Sequence, residues 1–465
     1  MISGIAIYLL FFFAAATVLL TDSLYAHSSI SSVVFFIACT FIAGTAIAHK
    51  NARQAFIVQL FVLYWMTFAS MPLASASQSF VFVIISSGLE DIFLAATLTA
   101  ASLNKGFWKA ASAEYSAIFL ILVFLIYFVR AGVSIAAIAS FREIFVLVAF
   151  YLIGRAFYSY SINSDYAAKV ITGFMLSLAI FGIIERLFWN SLWGLWGATD
   201  YFLIKFQNAN FAFSLRDELP QHWFTYTGQG FTRRLVSTVG DATAAARAMS
   251  VGFILSIIYF GPRKSWSLLS SILLAIAIFL TIGRGGMVLA GFGVAFWLML
   301  KHKLLGYIAL SFLAMAFILA STSGSHSSNF ERHMTGLTRG LESIPAKPLG
   351  HGLGTSGTMA IIYSSGHNDE RVEESLVGSI AFQTGVFGLS AYFIFFGSLI
   401  KRIIQVEPVD TKTAKMRMAC LAMLSGILFT SFFASSAISP VAAAPGLLLA
   451  GVLISEHNLQ KTYAT

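Results

Sequence analysis

The sequence predicts an all-α, polytopic membrane protein, and three observations carry that prediction. The 465 residues are 58% hydrophobic and only 11% charged, with 45 phenylalanines and a mean hydropathy of +0.82. This is more apolar surface than a water-soluble core of such a chain can hide. Apolar stretches of roughly 17 to 25 residues, each about the length that crosses the hydrocarbon of a bilayer, recur from one end to the other. Basic clusters punctuate them: "HKNAR" at 49–53, Lys105 and Lys109, "PRK" at 262–264, "KHK" at 301–303, Lys401 and Arg402, and Lys412, Lys415 and Arg417. No stretch of soluble-domain size is left over, so residues 1–465 read as a single transmembrane domain.

The first apolar run, 5–20, resembles a signal-peptide core but has no basic segment ahead of it, so it reads as an uncleaved first span. Lys and Arg beside short loops are retained on the cytoplasmic side. Placing every basic cluster there requires an even number of spans between successive clusters and gives about fourteen spans, with both termini cytoplasmic. The short external loops then hold only Arg130, Arg142 and Arg284. Two long external segments, 189–243 and 321–375, escape the charge rule because of their length. The net charge of +9 is therefore part topology and part a basic external surface. Cys39 and Cys420 both fall in apolar runs and suggest neither a disulfide framework nor a metal site. Glu90 and Asp91, in "SSGLEDIFL", fall within an expected span as buried polar or pathway residues. Arg142 and Glu143, in "SFREIFV", are expected to pair with each other, or else to add a phosphate contact.

"FLTIGRGGMVLAG", at 279–291, sets an arginine among three glycines. The run before it leaves "PRK" and the run after it returns to "KHK", so Arg284 marks an external hairpin tip. Gly283, Gly285 and Gly286 permit positive φ or the close approach of a backbone or ligand. Arg284 either snorkels to lipid headgroups or serves a ligand. Deeper placement would cost about 2.5–3.5 kcal/mol.

The first long segment contains "FTRRLVSTVGDATAAARAMSVGF" (231–253), with Arg233 and Arg234 before a Gly-Asp turn. They form either a solvated pair or two planar forks suited to phosphate oxygens. The second contains "LTRGLESIPAKPLGHGLGTSG" (337–357), with Arg339 and a glycine run that is no P-loop, since no Gly-Lys-Ser/Thr follows. "GHNDERVEESLVGSIAFQTGVFGL" (366–389) then puts an acidic patch at the outer entrance of a span, where Glu373 and Glu374 suit the helix dipole. His351 and His367 lack an HxxxH spacing and read as local hydrogen-bonding groups rather than metal ligands.

Taken in order, Arg-Arg with "STVGD", "IGRGG", "PLGHGLGT" and "EESLVGSIAFQTGVFGL" resemble the O-antigen polymerase and ligase superfamily of bacterial envelope glycosyltransferases. The resemblance covers about 230–390, and the earlier spans match only as generic hydrophobic helices. It implies a GT-C-like fold in the bacterial inner membrane, with an active site facing the periplasm. It further implies inverting transfer of a glycan from undecaprenyl diphosphate, with no metal and no cofactor. Carried over by position, it assigns Arg234, with Arg233 beside it, and Arg284 to the lipid diphosphate, and gives Arg339 a weaker match. Preorganised guanidiniums stabilise the charge of a departing diphosphate.

Ligases of the superfamily place a His-Asn eleven residues before the glycine of a "tGxxG" motif; here that glycine is Gly385 and the position holds Glu374, followed by Ser375. His367-Asn368 lies seven residues farther upstream. The resemblance thus implies a carboxylate, Glu374, that orients or deprotonates the attacking hydroxyl, with Glu373, His367 and Ser375 as acceptor-side residues. This departure favours a polymerase over a ligase that transfers to lipid A core. The implied partners are an undecaprenyl-diphosphate-linked oligosaccharide, membrane lipid, a chain-length regulator and a flippase; nothing points to nucleic acid. A transporter or flippase of lipid-linked sugars is the alternative of a different class. Such proteins more often show repeated halves and midplane charges, whereas here the candidate charges gather at one face and no internal repeat is evident.

Overall fold

The computed structural model describes residues 30–79, 82–83, 88–103, 107–108, 114–132, 134–156, 162–206, 214–226, 230–262, 264–311, 327–358, 360 and 375–464. Almost all of this is helix, as an all-α membrane protein requires. Among the described residues seven helices are long and apolar enough to cross a membrane: Ala52–Ser77, Ile135–Ala156, Ser164–Phe188, Ala242–Phe260, Arg284–Lys301, Leu376–Ile404 and Pro440–Lys461. Three shorter apolar helices, Ile37–Lys50, Tyr115–Ala131 and Ser265–Leu280, accompany them.

Side-chain caps set several of the starts. Asn51 accepts from the amides of Arg53 (3.1 Å) and Gln54 (3.2 Å), Asp241 from Ala244 (2.7 Å) and Asp410 from Thr413 (2.7 Å), each satisfying a helix-end N–H that has no carbonyl partner. In lipid, close packing of helices depends on small residues rather than on hydrophobic exclusion. Gly154 and Gly451 supply them where Ile135–Ala156 crosses the last helix. A Cβ on Gly154 would stand 3.0 Å from Leu448 Cα, and one on Gly451 would stand 2.6 Å from the Arg155 amide nitrogen. Gly336 and Gly340 meet Gly378 in the same way, which docks the helix Ser327–Ala346 of the second long segment onto the start of Leu376–Ile404.

Buried charges pair across helices. Glu114, almost fully buried, accepts from Tyr151 Oη (2.9 Å), Arg155 Nε (3.0 Å) and Arg402 Nη1 (2.7 Å). The expected pairing of Arg142 with Glu143 is corrected. Arg142 instead reaches Asp91 at 2.5 Å and also binds Glu90. Successive residues on a helix point about 100° apart and do not face each other, so Arg142 pairs with the neighbouring helix and Glu143 turns elsewhere.

The helix Leu376–Ile404 breaks at Gly385, whose φ of 59° and ψ of −149° leave the helical region. The glycine-rich segment fills the gap in the hydrogen-bond ladder. His351 donates its amide to Phe382 O (2.9 Å), Gly352 to Gln383 O (2.9 Å), and Val386 donates to Pro348 O (3.0 Å). A side chain at Gly385 would strike the Pro348 carbonyl, so conformation and space both require glycine there.

Candidate functional site

The site is built outward from Glu185, a fully buried carboxylate on Ser164–Leu195. It accepts from Arg233 Nη2 (2.7 Å), Trp193 Nε1 (2.9 Å) and the backbone of Val236 (2.8 Å). Arg233 is thereby directed inward, with its guanidinium 5.1 Å from the Trp223 ring centre. Burial lowers its pKa, against the opposing pull of Glu185. Backbone bonds from Arg234 N to Trp223 O (2.8 Å) and from Leu235 N to Leu280 O (3.0 Å) fix the end of the short strand Phe231–Arg233, which pairs with Phe224–Tyr226. Arg234 therefore points the other way. Its Nε donates to Thr281 O (2.9 Å) and its Nη2 to Thr243 Oγ1 (3.1 Å), joining the first long segment to the "IGRGG" tip. Burial lowers the Arg234 pKa; Asp241 opposes the shift and Arg284 adds to it. Arg234 is thereby tied to Thr281, three residues before Arg284 in the chain.

At the tip the positive φ falls on Ile282 (51°) and on none of the three glycines, which corrects one of the expected roles of those glycines. A β-branched residue held there is a strained backbone position of the kind that clusters at functional sites. The glycines serve close approach instead: a Cβ on Gly283 would lie 2.7 Å from Ala246 Cβ, and one on Gly285 2.5 Å from Arg247 Nη2. Arg284 is exposed and makes no hydrogen bond or ion pair among the described residues. Behind it lies Arg247, 2% exposed, which donates to Ser436 Oγ at 2.5 Å and whose Nε has no partner. Sequence reading passed over Arg247 and Glu185. Arg247 is a lone charge in an apolar run and Glu185 sits beside Arg186 in another, a signal that each run packs against something polar.

Ser436 carries the arginine cluster into a cavity of about 160 Å³. Ser140 and Glu143 line it from Ile135–Ala156, Ser356 and Thr358 from the glycine-rich segment, and Ser379 and Gln383 from the start of Leu376–Ile404. Gln383 ties two of these walls together: its Nε2 donates to Ser356 O (3.0 Å) and Ser379 Oγ (2.8 Å), and its Oε1 accepts from Gly354 N (2.6 Å). Glu143 makes no hydrogen bond or ion pair among the described residues. The cavity thus has a carboxylate on one wall, a guanidinium beyond the other and several hydroxyls between them, with Phe124, Ile144, Leu353 and Ile380 among its apolar lining.

The remaining expected residues are placed as follows. Ser375 is fully buried and caps its helix, accepting from Gly378 N at 3.0 Å. Arg339 stands exposed on Ser327–Ala346. His351 stacks on Phe382 with ring centres 3.8 Å apart and meets Lys347 Nζ at 3.2 Å, so it makes local contacts. Glu373, Glu374 and His367 lie outside the described residues. Fold and site together define a multi-pass, all-α membrane protein with a cavity of mixed polar and apolar lining beside a cluster of arginines. Neither a protein-family model nor any curated protein matches the chain.

Proposed function

We propose that this chain is a polysaccharide polymerase of the O-antigen polymerase and ligase kind, acting at the periplasmic face of a bacterial inner membrane. In this reading the chain has about fourteen spans and a GT-C-like arrangement. The observation that supports it most directly is the hydrogen bond tying Arg234 to Thr281, three residues before Arg284, with Arg247 against Gly285 and a cavity carrying several hydroxyls beyond. Like charges brought to one site, here the half-buried Arg234 and the exposed Arg284, favour an anion between them. The diphosphate of a lipid-linked glycan is such an anion.

The acceptor hydroxyl oxygen attacks the anomeric carbon. The bond from that carbon to the diphosphate oxygen breaks, and its electron pair leaves on undecaprenyl diphosphate. Arg234 and Arg284 offset the developing charge. Arg233, bound to Glu185, positions the strand that presents Arg234. The hydroxyl proton passes to a carboxylate. Glu374 fills that role by resemblance, and it directly precedes the Ser375 cap of a helix whose first turns line the cavity. Glu143, already in the cavity wall, is the second carboxylate within the proposal.

The test is incubation of purified protein with a defined undecaprenyl-diphosphate oligosaccharide, followed by gel analysis of chain length. A ladder supports the polymerase. Transfer only onto lipid A core makes the chain a ligase, and no covalent product under either condition leaves transport. Comparison of Glu143→Gln with Glu374→Gln assigns the base, because only the true base loses turnover while donor binding is kept.

A further inference from the structure

A second cavity, about 830 Å³, opens at the far end of Leu376–Ile404 from Ser375, between that helix, the helix Thr411–Ser431 and the end of the last helix. Lys401, Arg402, Arg417 and Lys461 line it; Arg402 is bound to Glu114 (2.7 Å) and Lys461 to Glu407 (3.3 Å), so Lys401 and Arg417 are the lining cations outside an ion pair among the described residues. Two of its polar atoms are buried without a partner among the described residues. Arg417 uses Nη1 on the Val406 carbonyl (3.0 Å), but its Nε is buried and unbonded. His457, 7% exposed, has an unbonded Nδ1. Buried polar atoms in folded proteins are nearly always satisfied, so each exception needs an explanation. One wall is apolar and open: Ile404 is 58% exposed.

We propose that this cavity binds the phosphate of an anionic phospholipid headgroup, with an acyl chain lying along Ile404. A guanidinium fork and neighbouring ammonium groups match phosphate oxygens, and the apolar wall gives a lipid an advantage that a free phosphate lacks. The cluster sits at the end of the helices that the distribution of Lys and Arg assigns to the cytoplasm, where the leaflet carries anionic lipid and basic pockets between helices recognise headgroups. The inference does not depend on glycosyl transfer.

Native mass spectrometry of the full chain in detergent, with phosphatidylglycerol or phosphatidylcholine added, tests it. Phosphatidylglycerol should be retained in preference, Lys401→Gln should weaken its retention about fivefold, and Lys401→Arg should restore it. Arg417→Lys, which keeps the charge and loses the fork, should weaken retention as well. Lys401 is at an exposed position, so its variants keep the test readable even where an Arg417 variant misfolds. Equal retention of the two lipids would overturn the proposal, as would phosphatidylglycerol retention indifferent to Lys401→Gln. Binding of inorganic phosphate without retention of phosphatidylglycerol would make the occupant a free anion, and the lipid assignment would fail.

Discussion

Arg233 and Glu185 meet at 2.7 Å with side-chain exposures of 4% and 0%, whereas the adjacent Arg234, just past the end of the strand, bonds to Thr281 and Thr243. Removing one partner of a buried pair typically costs about 3–5 kcal/mol, because a charge is left without compensation. Glu185→Ala should therefore lower the melting temperature in detergent more than Glu185→Gln, which keeps an acceptor for the Val236 amide. Equal melting temperatures for the two variants would show that the acceptor for Val236 contributes little beside the lost charge.

Replacing Arg234 or Arg284 with Lys keeps the charge and loses the bidentate fork. Loss of such a donor costs about 2.7–4 kcal/mol of transition-state stabilisation, roughly a hundred- to a thousandfold in rate. Turnover measured on folded, purified protein should fall by that order for each variant. Wild-type turnover in Arg284→Lys would make Arg284 an interfacial residue and nothing more.

Gly285→Ala places a methyl group 2.5 Å from Arg247 Nη2. Overpacking of this kind costs about 1–3 kcal/mol, and it should also push Arg247 off Ser436. The same change should be milder in an Arg247→Ala background, since neighbours that share a contact are not additive. A thermal-shift double-mutant cycle measures the coupling, and strict additivity would show that the two positions do not touch.

His222 keeps an exposed edge, yet the rings of Phe202 (5.6 Å) and Trp223 (6.3 Å) crowd it. Withdrawal from water is the largest cause holding its imidazole below the usual value of about 6.5, with Asp241 opposing and Arg234 and Lys205 adding. A depressed histidine favours the folded state when neutral. Its contribution is thus fully present above about pH 6.5 and is lost as pH falls through the lower folded-state value. Melting temperature should decline on the acid side, and His222→Gln should flatten that decline. An unchanged slope would show that His222 is not the titrating group.

The membrane class was legible because apolar runs and basic clusters are one-dimensional signals. The neighbourhood of Arg234 and Arg284 is consistent with reading both onto one face. Partners of isolated charges were not legible. Arg233 finds Glu185 at a separation of 48 residues, and Arg247 finds Ser436 at 189; a sequence shows that such a charge needs a partner but not where the partner lies. Arg142 was matched with its nearest acid in the chain, although helical geometry separates adjacent side chains. The glycines of the hairpin were legible as special, but sequence does not distinguish positive φ from close approach, and the structure divides those roles between Ile282 and the glycines.

Because Gly385 interrupts its helix, the first turns after Ser375 take their tilt from the glycine-rich segment that braces them rather than from the span that follows. That segment works as a spacer of fixed length. Adding or deleting one residue between Pro348 and Gly354 would rotate Ser379 and Gln383 in the cavity wall without altering either residue. The shape of the chamber can therefore diverge between related chains through loop length alone, and comparisons that align only its polar side chains would miss the change.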